Sequence, residues 1–380
     1  MDRADNGRKT RSLGDSPGNG TASAQRQDVG AQAGGHRSQD AALPGGVPFR
    51  QLNFPVLLMN LPLSLSARIP NNAYMDDLSS DEREVCLERA IGQFRALYRH
   101  LAQRAIVYLL PSTPGFQDQP YVANLAVVLP HCQGDTVIIS RFRSRPRMGE
   151  ERTGSAFFTL MNFKVERPPE SFAGEPVYLE GEADLKHIRG KVYVGAHAMR
   201  SSRNGLLWAA ERFDMDIIPF RLVDPYLYHL DCCLFRMTEE AVLLCTAVTD
   251  RACLRALERH CEIIDVSLRH ARAGITNGLL LPDELLCDSP IATLRKGSEA
   301  YEAEKAKLKR LEEIGARFGR ALRLFCMSEF YKSGALLSCL VMHIRQVTDA
   351  PGAVKADRLA QSRAAGEPTV QERTDGGCQR

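Results

Sequence analysis

Residues 79–110 read SSDEREVCLERAIGQFRALYRHLAQRAIVYLL, and the spacing of their apolar positions changes partway along. Ser79-Ser80-Asp81-Glu82 offers a capping box, in which a hydroxyl and a carboxylate three residues apart satisfy each other's backbone amides at a helix start. Val85, Leu87, Ala90, Phe94, Leu97 and Leu101 then recur every three to four residues, the spacing of one helix face. The pattern predicts a helix from about 80 to 103. Residues 106–110 follow directly as a short β-branched run, which reads as a strand. A helix that delivers into a strand is the unit of a mixed α/β fold.

Outward from this stretch, runs at 126–129, 137–140, 177–180, 192–194, 217–222, 233–237, 242–245, 263–266 and 279–281 also read as strands. Helical spacing returns near 202–212 and 250–260. It returns again from about 297 to 314, where Glu299, Glu302 and Glu304 stand within a turn or two of Lys305, Lys307 and Lys309. The fold class is therefore α/β. No fixed-length repeat is visible in the residue identities. Residues 1–45 are rich in Gly, Ser, Asp, Gln and Arg and poor in large apolar side chains, so they read as a disordered tail, as do 347–380. The folded body is expected at 48–346.

Composition narrows the function classes. Hydrophobic residues make up 44% and charged residues 25%, enough apolar surface for a sizeable core. The net charge of +3 arises from 49 basic and 46 acidic residues that are interspersed, without a basic stripe, so nucleic acid is not an expected partner. No apolar run approaches the roughly 18 residues of a membrane span, and the N-terminus lacks a signal peptide's apolar segment, so a cytoplasmic protein is expected. The 11 cysteines include no C-x-x-C pair, which favours neither a disulfide framework nor structural zinc.

Four segments could carry chemistry. Residues 328–340, SEFYKSGALLSCL, deliver Cys339 from a polar, Gly-containing loop into an apolar run. A thiol there becomes a nucleophile where positive charge favours its thiolate, although most such thiols are inert core residues. In Tyr228-His229-Leu230-Asp231, the i, i+2 spacing on an extended chain would place His229 and Asp231 on one face, where a carboxylate can fix the imidazole's tautomer. Such a pair suits a general acid that protonates a leaving amine and then a base for water. Glu180-Gly181-Glu182-Ala183-Asp184 sets three carboxylates around a Gly, where they could converge on a guanidinium or form only a solvated turn. Gln119–Leu125 is a loop entering a strand, with Asn124 able to bond a ligand.

Taken in order, these segments resemble the guanidine-modifying superfamily of arginine deiminases, dimethylarginine dimethylaminohydrolases, arginine dihydrolases and amidinotransferases. The resemblance runs from about Leu57 to Ile344. It rests on Met59-Asn60-Leu61-Pro62, Asn72-Ala73-Tyr74-Met75, Val122-Ala123-Asn124, Ser140-Arg141-Phe142-Arg143 with Gly149-Glu150-Glu151, the Glu180–Asp184 turn, His229-Leu230-Asp231, and Glu329-Phe330 leading to Cys339. It implies a five-bladed α/β propeller around a polar site, with Cys339 as nucleophile, His229 as acid and base, and Glu180 on the guanidinium. Asn124, Asp231, Asn72 and Asp184 are implied as substrate contacts, with a small guanidino compound as partner and no metal or organic cofactor.

The sequence departs from arginine deiminases at Asn124, where an Asp is expected, and is similar there to the dihydrolases. Those usually read Asn-Pro-Trp-Met where this chain has Asn72-Ala73-Tyr74-Met75, and Gly334-Ala335-Leu336-Leu337 replaces a run that often has adjacent glycines. A hydrolase releasing citrulline or ornithine, an amidinotransferase, and a catalytically silent binding protein all remain compatible with these residues.

Overall fold

The computed structural model describes residues 52–347. The tails expected at 1–45 and 347–380 lie outside the described residues, apart from Val347.

Five three-stranded sheets share one plan among the described residues. In the first, Val56–Asn60 lies between Ile106–Leu110, parallel to it, and Met342–Arg345, antiparallel. The other middle strands are Thr136–Ile139, Val192–His197, Ala241–Leu244 and Glu284–Asp288. Their antiparallel partners are Ala126–Val128, Leu185–Arg189, Leu234–Arg236 and Gly278–Leu280. Their parallel partners are Lys164–Glu166, Asp216–Arg221, Glu262–Asp265 and Ala321–Phe325. A parallel pair needs a crossover. Helices Leu87–Ala102, Glu151–Leu160, Arg203–Phe213, Arg251–Glu258 and Glu299–Arg317 supply one each. The unit thus recurs five times without a recurring sequence, and the first sheet is completed by the last described strand.

Capping fixes several helix starts. The Ser202 hydroxyl accepts from Gly205 N, the Asp250 carboxylate from Ala252 and Cys253 N, and the Ser298 hydroxyl from Tyr301 N. The Ser79 box also forms, with Ser79 N and Oγ both 2.8 Å from Glu82 Oε2 and Glu82 N 3.3 Å from Ser79 Oγ. It closes only a turn, however, and the helix expected from 80 starts at Leu87. The cause is tertiary: Cys86 is extended, and its amide is held 2.9 Å from the buried Glu329 carboxylate. From Leu87 onward the expected face is the buried one, through Ala90, Phe94, Leu97 and Leu101. The run at 177–180 forms no strand and pairs only through an Arg141–Leu179 bridge. Of the expected Glu and Lys pairs on the last helix, Glu304 and Lys307 meet at 2.8 Å, both buried.

Candidate active site

Gly181 decides how one wall of the site is built. It adopts φ +54°, and a Cβ there would stand 2.7 Å from Ala123 O and 2.8 Å from both Ala126 O and the Asn124 carbonyl carbon. Only a glycine accepts that conformation with backbone so close. The turn Gly181–Asp184 therefore lies against the Val122–Asn124 turn, which also packs against Ser338–Leu340. Gly181→Ala is expected to cost about 3 kcal/mol or more, because the atoms it meets are backbone and cannot swing aside. Thermal unfolding would measure this, and an unchanged midpoint would contradict it.

The three carboxylates of this turn do not converge, which corrects the sequence reading. A helical turn rotates successive side chains by about 100°, and each finds its own partner. Glu180 Oε2 lies 2.9 Å from His229 Nε2 and 3.6 Å from Arg200 Nη1. Glu182 accepts from His343 N at 2.8 Å and pairs with His343 Nδ1 at 2.6 Å. Asp184 accepts from Ser201 Oγ at 2.6 Å and from Leu230 N at 3.1 Å, so it anchors the backbone next to His229. Complete burial would raise the Glu180 pKa, but Arg200 and His229 outweigh it and hold the group at about 2. Asp184 lacks enough compensation, and burial lifts it to about 6.

His229 is extended and caps a 3-10 turn, Leu230–Cys232. That turn breaks the strand geometry on which the shared face of His229 and Asp231 depended. Asp231 therefore does not orient the imidazole. Glu180 does so, with the Asn124 amide 3.2 Å from the same Nε2. Nε2 either donates to the carboxylate or accepts from the amide, not both, and the carboxylate makes the stronger, charge-assisted bond. Asp231 turns to the cysteine: its Oδ2 accepts from Ser338 Oγ at 2.8 Å and lies 3.8 Å from Cys339 Sγ. Asn277 Nδ2 approaches the same sulfur at 3.7 Å, while Asn277 Oδ1 accepts from Ser338 N at 2.9 Å. Burial, reinforced by the Asp231 charge, pushes the Cys339 thiol up to about 12, so the resting sulfur keeps its proton.

Asn72 sits at the edge of this group. Its oxygen accepts from Met75 N at 3.0 Å and its amide donates to Ser333 O at 3.1 Å, tying the 72–75 segment to the loop before Cys339. Gly334 takes φ +75° there. Sequence reasoning missed three neighbours, Arg200, Asn277 and Ser338. Arg200 pairs with Glu180, stacks 5.0 Å from the centre of the Tyr228 ring and donates to Asn71 O at 2.7 Å. Nothing in Ala198-Met199-Arg200-Ser201 marks it, since its partners are distant in sequence. Asn277, between Thr276 and Gly278, looks like an ordinary strand boundary.

No family model matches the chain. Curated relatives do. It is 29% identical over 264 residues to the bifunctional arginine dihydrolase/ornithine cyclodeaminase AgrE of Nostoc sp., and 26% identical over 263 residues to ArgZ, of the same description, from Synechocystis sp.. Each match covers 68% of this chain. The chain is similar to these guanidine-modifying hydrolases. It spans 34% of the length of either relative. The product-bound N-terminal domain of ArgZ has the same α/β fold, with a TM-score of 0.65 over 78% of this chain and 100% of that domain at 23% identity.

Proposed function

We propose that residues 48–346 form a cysteine hydrolase of the guanidinium group, acting on arginine or a methylated arginine. The observation that carries this is His229 held by Glu180 at 2.9 Å, in a site whose 122–124 turn also packs on the segment bearing Cys339. Glu180 and Asp231 grip the guanidinium, with Asn124 as a neutral donor or acceptor beside them. Asn72 and Asp184 hold the site's framework.

The resting thiol is protonated, so the substrate itself must activate it. A guanidinium beside Sγ offsets the Asp231 charge and lowers the thiol's pKa, so that its proton leaves to solvent. The thiolate attacks the guanidinium carbon, a C–S bond forms, and a C–N bond breaks as His229 gives its proton to the departing ammonia or alkylamine. Water then attacks the same carbon, its proton passes to His229, and the C–S bond breaks to release citrulline. A second hydrolytic cycle on the ureido group would give ornithine, as the names of the dihydrolase relatives suggest.

The fivefold recurrence of one unit, with an edge strand of every sheet lining a single cavity, supports a five-bladed propeller around the site. The described residues contain no helix long and apolar enough to cross a membrane, which is compatible with a cytoplasmic enzyme and a small guanidino substrate. Product analysis after incubation with arginine, methylarginines and citrulline, with and without glycine, tests the reading. Citrulline or ornithine formed without glycine supports it. Glycine-dependent transfer would make the protein an amidinotransferase, and no product from any of these substrates would favour a silent binding protein.

A further inference from the structure

The cavity lined by the five edge strands has a volume of about 380 Å³ and reaches the site at Asp231. It is lined by the antiparallel edge strand of each sheet, through Val127, Leu185, Phe235, Gly278 and Ile344, and none of Cys339, His229, Glu180 or Asn124 lines it. It runs from exposed Glu239 to the buried side chains of Asp231, Thr276 and Ser338. Asp231 belongs to both spaces: it lines the cavity, and its Oδ2 is 3.8 Å from Cys339 Sγ. At that point the Asp231 carboxylate, latched by Ser338 Oγ at 2.8 Å, is shared by the cavity wall and the surroundings of the sulfur.

Two polar atoms in the wall have no hydrogen-bond partner, Thr276 Oγ1 and His343 Nε2. Thr276 is wholly buried, and a buried hydroxyl without a partner costs roughly 1–3 kcal/mol unless water satisfies it. A polar cavity with such groups is one that water fills. Cys339 itself is only 7% exposed.

We infer that this cavity is the water supply of Cys339, delivering the hydrolytic water past Asp231 and Ser338 while the substrate occupies the site. The inference rests on the hydrolase reading above. Formation of the adduct needs no water, but its breakdown does, so obstruction of the cavity slows the second step alone.

The test follows the mass of the Cys339 peptide after rapid mixing with arginine and quenching. Thr276→Met adds bulk in the cavity wall, Val128→Trp does so from a half-buried wall position, and Thr276→Val removes the hydroxyl at equal volume. Thermal unfolding identifies which variants are folded, and one folded plug suffices. The expected result is an adduct that forms at the wild-type rate but decays about tenfold more slowly in a plugged variant, with Thr276→Val close to wild type. Wild-type decay in a folded plug overturns the water route and leaves the hydrolase reading intact. The absence of any Cys339 adduct in the wild type overturns both.

Discussion

Cys339→Ser is expected to lower turnover by about four orders of magnitude or more while leaving the fold unchanged. The side chains are nearly the same size, and the sulfur's neighbours, Asp231 and Asn277, can bond to a hydroxyl as well as to a thiol. The chemistry, however, depends on an anion. A buried thiol at about 12 can be brought into reach of neutral pH by a bound cation, whereas a serine hydroxyl starts several units higher and stays protonated. Alkylation of the substrate-free protein should show the same property, with iodoacetamide labelling of Cys339 still accelerating above pH 9.5 where an ordinary thiol near 8.5 has levelled off. A plateau near pH 9 would mean that the sulfur is already activated at rest.

Glu180→Gln is expected to raise KM for guanidino substrates roughly a hundredfold, corresponding to about 2–3 kcal/mol for a lost charge-assisted contact. The glutamine keeps the volume and can still accept from the Arg143 amide, which lies 3.4 Å from Oε1. What it loses is the charge that holds His229 and Arg200, both close to the same oxygen. An unchanged KM would reduce Glu180 to a turn residue.

Much of the fold was legible where local chemistry decides it. The helical spacing near 202–212, 250–260 and 297–314 forms helices Arg203–Phe213, Arg251–Glu258 and Glu299–Arg317, and the runs at 106–110 and 263–266 form strands Ile106–Leu110 and Glu262–Asp265. Strand Leu185–Arg189 was invisible because its Lys, His and Arg break the apolar alternation. Helix Glu151–Leu160 was hidden by a polar start and a central Gly154. The fivefold plan came only through the family resemblance and not from the strand pattern, since it resides in which strands pair, including a last described strand that joins the first.

The site divides in the same way. Cys339, His229 and Glu180 can be singled out because their segments carry recognisable order and residue type. Their relations were not readable, because the 3-10 turn at Leu230–Cys232 and the helical turn at Gly181–Asp184 send neighbouring side chains in different directions. That is why Asp231 serves the sulfur instead of the imidazole, and why Glu182 lines the edge-strand cavity.

The most direct measurement is peptide mass spectrometry of the full chain quenched during turnover with arginine. The account predicts an arginine-derived adduct on the peptide that carries Cys339, lost in Cys339→Ser and cleared as product appears. Product formation with that peptide unmodified throughout, or an adduct on another residue, would contradict it.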